Sequence, residues 1–193
     1  KYILHNRSIF FSNDDEVKHF LEKRSIENSK KHQQPATLNV KSNLDKLTLN
    51  DMQVFRFNFR HEKNQKILYL HGGYNTLQPS PFHWRLLDKL TLNTLHEVVL
   101  PIYPKSPDYH YLETFKAIRD VYNQLVEEVG ANNIVMMGDG SGGGLALSFV
   151  QSLINDNQEV PRKLFLLSPL LDATLTNPNI TKTLEENDIL VSR

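Results

Sequence analysis

Between Lys66 and Leu167 the chain alternates short apolar runs with longer amphipathic stretches, and no other feature narrows its possible folds as far. The apolar runs are Lys66–Leu70, His96–Leu100, Asn133–Met137 and Lys163–Leu167, each of strand length. Between them, Pro81–Leu92, Tyr111–Val129 and Leu145–Ile154 carry helical spacing. Pro81 suits a first helical turn. Phe115, Ile118, Val121, Tyr122 and Leu125 share one side of the longest stretch, which Gly130 ends. Apolar strands separated by helices pair in parallel and are covered on both faces, through right-handed crossovers. The expected fold class is α/β, a three-layer α/β/α sandwich with a mostly parallel sheet.

Upstream, Phe55, Phe57 and Phe59 alternate with Arg56, Asn58 and Arg60, the pattern of a half-buried strand, and His61–Gln65 reads as a polar turn. Asp14–Arg24 reads as a helix capped by Ser12 or Asn13, with Val17, Phe20 and Leu21 on one face. Ser25–Thr37 is polar and lysine-rich, as a solvated linker would be.

Composition removes several function classes. With 193 residues, 39% of them hydrophobic, the chain can bury a core. Its 22 basic and 22 acidic side chains cancel, which gives no reason to expect nucleic acid as a partner. Without cysteine, disulfides and thiolate metal sites are excluded, and neither metal nor cofactor is expected. No apolar run approaches the ~18 residues of a membrane helix. The chain starts at Lys1, so the native N-terminus is expected to lie upstream; a cytoplasmic location is favoured and the oligomeric state is open.

Ligands of such sheets bind outside the carboxyl ends of the strands, and two glycine-rich loops fall there. His71-Gly72-Gly73-Tyr74 follows the first apolar strand, and paired glycines at a strand end let backbone N–H groups converge on a small anion. Gly138-Asp139-Gly140-Ser141-Gly142-Gly143-Gly144 joins the third strand to the helix starting at Leu145, which describes a nucleophile elbow. The pattern G-x-S-x-G, begun at Gly138, puts Gly140 where serine is expected and Ser141 one residue late. Glycine has no oxygen with which to attack. Gly140 therefore occupies the candidate nucleophile slot, and Ser141 is the alternative nucleophile. Gly138, Gly140 and Gly143 also spell G-x-G-x-x-G, the dinucleotide fingerprint, which wants an acidic residue ~20 positions on at a strand end. Glu159 has the spacing but falls in a loop before Pro161.

Taken in order, four segments resemble the hormone-sensitive-lipase-like branch of the α/β-hydrolase superfamily. His71-Gly72-Gly73 is similar to its H-G-G-G loop, with Tyr74 for the third glycine. Leu100-Pro101-Ile102-Tyr103-Pro104, on to Pro107, is similar to its tyrosine- and proline-rich segment. Gly138 to Ala146 is similar to G-D-S-A-G-G-N-L-A, and Leu167 to Asp172 is similar to the segment after the next strand. The resemblance implies hydrolysis of small acyl esters through an acyl-enzyme, without metal. It implies an oxyanion hole built at Gly72, Gly73, Tyr74 and Ser141, with Gly73, Tyr74 and Ser141 as the donors. It makes His71 an organiser of its loop, Asp139 a structural residue, residues 1–40 a cap helix and linker, and residues 41–193 the N-terminal two-thirds of a hydrolase domain.

The triad order of that fold is serine, acid, histidine. All eight histidines, His5, His19, His32, His61, His71, His83, His96 and His110, precede Gly140. Asp172 and Asp188 follow it, but no base follows them, so the acid and histidine of a triad are expected beyond Arg193. A catalytically silent ligand-binding module on the same scaffold is the competing reading, and a dinucleotide-binding domain is the more distant one.

Overall fold

The computed structural model describes residues 14–58 and 65–174. Phe59, Arg60, most of the turn 61–65, and Asp188 with the rest of 175–193 lie outside the described residues. The elements are α1 (Asp14–Asn28), β1 (Leu44–Leu49), β2 (Met52–Phe57), β3 (Lys66–Leu70), α2 (Pro81–Thr94), β4 (Glu97–Pro101), α3 (Tyr111–Val129), β5 (Ile134–Asp139), α4 (Gly140–Asn155) and β6 (Lys163–Leu167). The strands form one six-stranded sheet in the order β1-β2-β4-β3-β5-β6. β3, β4, β5 and β6 are parallel, as expected, and β1 and β2 add an antiparallel hairpin on one side.

Helices cover both faces, which gives three layers. On one face Trp84 and Leu87 of α2 pack with Phe55, Phe57, Ile67, Tyr69, Val98 and Leu100. On the other, Ile118, Val121, Tyr122 and Leu125 of α3 and Ala146, Phe149 and Leu153 of α4 pack with Leu68, Leu70, Val99 and Met136. Trp84 is fully buried, as a helical tryptophan beside apolar strands should be. The connection from β3 runs to β4 on one side, and that from β5 runs to β6 on the other. Neighbouring strands whose connections diverge leave a crevice between their carboxyl ends. Here that crevice opens between β3 and β5, the two strands that feed the glycine loops.

Several bounds differ from the sequence reading by one or two residues, and three elements differ more. β1 was not expected: Leu44-Asp45-Lys46-Leu47-Thr48-Leu49 is an edge strand with no buried residue, so its pattern is weak. α1 runs four residues past Arg24 into the expected linker, to Asn28. α4 begins at Gly140, not at Leu145, so the glycine run forms the helix's first turns. Propensity argues against glycine in a helix, and close packing overrides it here.

The half-buried character expected of β2 is also corrected. Arg56 was placed on a solvent side, yet it is 3% exposed. It is buried because its charge is met: its guanidinium forks onto Glu128 at 3.1 and 2.6 Å and bonds Glu97. Lys66 completes the group, 3.1 Å from Glu97 and 2.5 Å from Glu128. Burial by itself would raise the Glu128 carboxyl, but hydrogen bonds from Arg56 and Lys66 more than offset it and hold the group at about 2. The four charges balance, and they lie where β3 and β4 begin, the end of the sheet remote from the glycine loops. Breaking one partner strands a buried charge. Glu97→Gln is therefore expected to cost roughly 3–5 kcal/mol in urea unfolding; a loss below ~1 kcal/mol would show that the quartet does not behave as a buried network.

Candidate active site

The two glycine loops meet. Gly142 lies so close to the end of β3 that a Cβ on it would sit 2.2 Å from the Leu70 carbonyl oxygen and 2.5 Å from that of His71. Only a residue without a side chain lets the first turn of α4 reach that strand. At the junction itself, Asp139 keeps extended backbone (φ −119°, ψ 150°) and Gly140 switches to φ +50° before the helix proceeds. This is a strand–turn–helix elbow with its sharp residue at Gly140. Among the described residues, a Cβ added at Gly140 would meet only the Cα of Gly72, at 4.0 Å, so it would point toward the first glycine loop.

Ser141 is placed differently. It is 7% exposed, and its hydroxyl oxygen accepts a hydrogen bond from the Asn75 N–H at 3.2 Å. Gly73, Tyr74 and Asn75 all take positive φ (+130°, +55° and +55°), a turn closed by bonds from the Thr76 and Leu77 N–H groups to the Gly73 carbonyl. Gly72 was expected to line the oxyanion hole; it lies beside Gly140, but its N–H donates to Asp139 Oδ1 at 2.8 Å.

Asp139 is the hub of this region. Besides Gly72, the Tyr69 hydroxyl donates to its Oδ1 at 2.7 Å, and His83 Nε2 lies 3.2 Å from its Oδ2. The carboxylate thereby ties the end of β5 to β3, the first glycine loop and α2. Burial would raise its pKa, but the bonds from His83, Tyr69 and Gly72 outweigh that and hold it at about 2. The Ser80 N–H donates to His83 Nδ1 at 2.9 Å, which leaves the ring proton on Nε2, facing Asp139. Both nitrogens of His83 are therefore engaged. His71 is buried, its Nδ1 bonds the Gly72 carbonyl at 2.7 Å, and its Nε2 finds no partner among the described residues. Burial, with the Lys105 charge nearby, pushes its pKa well below the ordinary value, so the ring is neutral. Tyr103 stacks on it at 4.7 Å and donates to its backbone carbonyl. His71 is thus an organiser of the loop, and Tyr103 packs the loop from beneath.

Sequence reasoning missed Asn75, Tyr69, His83 and Lys105. Asn75 acts through a backbone N–H, which no residue type announces. Tyr69 and His83 stand at the end of a strand and the start of a helix, and their joint aim at Asp139 exists only after folding. Lys105, 3% exposed, donates to the Gln78 side chain at 3.1 Å, and burial lowers its amine to about 7. Its place beside the tyrosine- and proline-rich segment was the available signal. Among the described residues, no group of three or more His, Asp or Glu side chains could hold a metal ion.

The profile of the alpha/beta hydrolase fold family matches residues 67–193. An esterase of Acinetobacter venetianus is 34% identical over 129 residues, which cover 66% of this chain and 42% of that protein. A triacylglycerol lipase of Mycobacterium tuberculosis is 31% identical over 126 residues, 65% of this chain and 29% of that protein. In structure, the chain superimposes on a Staphylococcus aureus protein designated an esterase with a TM-score of 0.93 and 66% identity, covering 99% of this chain and 65% of the other. A hormone-sensitive-lipase homologue from a metagenome library matches with a TM-score of 0.69 and 25% identity, over 90% of this chain and 63% of that one. Fold and relatives together define an esterase- and lipase-like hydrolase class. The chain belongs to the alpha/beta hydrolase fold family, in its hormone-sensitive-lipase-like branch. It spans less than half the length of the curated relatives named here.

The Asp139 hub sets a pH dependence. Its folded pKa, about 2, lies below the ordinary 3.8, so its stabilisation is complete above about 3.8 and is lost as pH falls through about 2. Asp139→Asn is expected to destabilise by roughly 1–3 kcal/mol at pH 7, with the deficit closing toward pH 2. Denaturant unfolding at a series of pH values checks this, and a deficit that stays constant down to pH 2 would contradict it.

Proposed function

We propose that this chain carries the elbow and oxyanion half of a carboxylic-ester hydrolase working through an acyl-enzyme on small acyl esters, with Gly140 in the position of the nucleophilic serine. The observation that carries the reading is the backbone at Gly140: φ +50° at a strand-to-helix junction, with room among the described residues where a Cβ would go, facing the first glycine loop. Ser141 fits a different role. Its buried hydroxyl is held by Asn75, and its N–H belongs to the uncapped start of α4, where the helix dipole favours a developing negative charge. Gly73, Tyr74 and Ser141 are the proposed oxyanion donors; Gly72 serves as the wall of the hole, its own N–H being committed to Asp139.

In this reading the acid and histidine come from chain beyond Arg193, since no histidine follows Gly140 and those near the site are engaged or buried. Residues 1–40, with α1, serve as part of a cap over the site. The absence of a hydroxyl at Gly140 supports a second reading, a ligand-binding module that keeps the scaffold without the reaction. The dinucleotide reading has less support: Glu159 lies between α4 and β6, with its carbonyl bonded by the Tyr122 hydroxyl, away from any strand's carboxyl end.

The test is hydrolysis of a chromogenic short-chain ester by the full-length protein, by Gly140→Ser and by Ser141→Ala. Gly140→Ser is expected to raise the rate by roughly 10²-fold or more, because a nucleophile supplies most of what such a triad adds beyond the residual of its oxyanion hole. It is also expected to lose about 1 kcal/mol of stability, since a side chain at positive φ is strained. Ser141→Ala should leave the unmodified protein's rate as it was. Strong activity of the unmodified protein that vanishes in Ser141→Ala would make Ser141 the nucleophile. Inactivity of all three would favour the binding module.

A further inference from the structure

α1 is an unusual helix to find ordered against this body. None of its residues is buried, and its apolar Val17 and Leu21 face an open groove of about 520 Å³, lined also by Lys18, Ser25 and Pro107. Core burial therefore does not hold it. Its C-terminal end is attached by polar bonds instead. Ser25 Oγ bonds Asp108 at 2.6 Å, and the side-chain amide of Asn28 donates to two backbone carbonyls, Thr76 at 2.9 Å and Ser106 at 3.2 Å.

Those two carbonyls belong to the segments that fix the first glycine loop. The Ser106 N–H donates to the Asn75 carbonyl at 2.8 Å, and the Asn75 N–H holds the Ser141 hydroxyl at the elbow. Tyr74 and Asn75 take consecutive left-handed conformations without being glycine. Such backbone persists only where its surroundings over-determine it. The loop's own bonds, from Thr76 and Leu77 to Gly73, close the turn but do not anchor it to the rest of the molecule. The Asn75 bonds to Ser106 and Ser141 tie the turn to the body, and Asn28 braces that tie, because its one planar carboxamide grips the loop at Thr76 and the segment after β4 at Ser106, on either side of the Ser106–Asn75 bond.

We infer that Asn28 is a positioning residue: its carboxamide, clamped between Thr76 and Ser106, holds the Tyr74–Asn75 turn in the shape that aims the oxyanion donors, so that α1 sets the geometry of the site it does not touch. The inference rests on the oxyanion role proposed above, and its test separates the two.

In the full-length protein, Asn28→Asp keeps size and removes both donors, Asn28→Ala removes the side chain, and Asn28→Gln restores a donor. Amide hydrogen exchange of residues 72–79 is expected to quicken by about tenfold or more in the Asp and Ala variants, while β3 and β5 stay protected. In the Gly140→Ser background the same two variants should lower kcat for a short-chain ester by about tenfold with KM unchanged, since donors displaced from the oxyanion weaken only the transition state. Asn28→Gln should recover part of both effects. Unchanged exchange in Asn28→Asp and Asn28→Ala overturns the inference whatever the activity does. Quickened exchange with kcat unchanged in an active Gly140→Ser background also overturns it, by reducing Asn28 to a loop support. If Gly140→Ser is itself inactive, the hydrolase reading fails, and with it the catalytic role inferred for Asn28, even where exchange quickens.

Discussion

The architecture depends on how closely the first turn of α4 approaches the end of β3. Gly142 stands against the Leu70 and His71 carbonyls at a distance no side chain could share. That contact brings the start of a helix to the carboxyl end of the neighbouring parallel strand, at the point where the sheet's connections diverge. Everything at the site follows from it. The first residue of the helix must turn sharply out of the strand, which puts Gly140 at φ +50°. The strand's next residues must run beside the helix start, which brings Gly72 to Gly140 and Asn75 to Ser141.

Close backbone packing of this kind needs a lock, and Asp139 supplies it. A carboxylate at the N-cap of α4 would ordinarily bond the helix's own first N–H groups. Here it turns away to Tyr69, Gly72 and His83, and the helix start is left without a side-chain cap. The charge thus ties the end of β5 to β3, the first glycine loop and α2, and leaves the start of α4 without a side-chain cap. At the other end of the strands, the Arg56–Lys66–Glu97–Glu128 quartet ties β2, β3, β4 and α3 together. The same sheet is thus fastened by charged groups at both ends.

The parallel sheet and its covering helices were legible because the strands from Lys66 onward are apolar runs and the helices keep a 3.6-residue period. The site was legible only as far as its glycines. Gly72, Gly73, Gly138 and Gly142 mark close approach in any sequence, and they do mark it here. What stayed hidden depends on groups that act across the fold. Arg56 looked solvent-facing by alternation, and its burial follows from Glu128, 72 positions away in the chain. Asn28 fell in a stretch that reads as linker, and its role needs two carbonyls from loops 48 and 78 residues on. The glycines of α4 read as a loop because propensity alone cannot see the strand they pack against.

Glycine at position 140 is better understood from this geometry than from the missing hydroxyl alone. The elbow makes two demands of that residue, positive φ and a small neighbour at Gly72, and both suit glycine without strain. Any residue with a side chain there would carry conformational strain at φ +50°. Glycine avoids that strain and leaves every supporting contact in place: Asp139 to its three partners, Asn75 to Ser141, and the Leu170 N–H to the Gly140 carbonyl at 2.8 Å. None of those contacts involves a side chain at position 140. The backbone arrangement of the elbow is therefore independent of the side chain at position 140, because its supporting contacts come from Asp139, Asn75, Ser141 and Leu170.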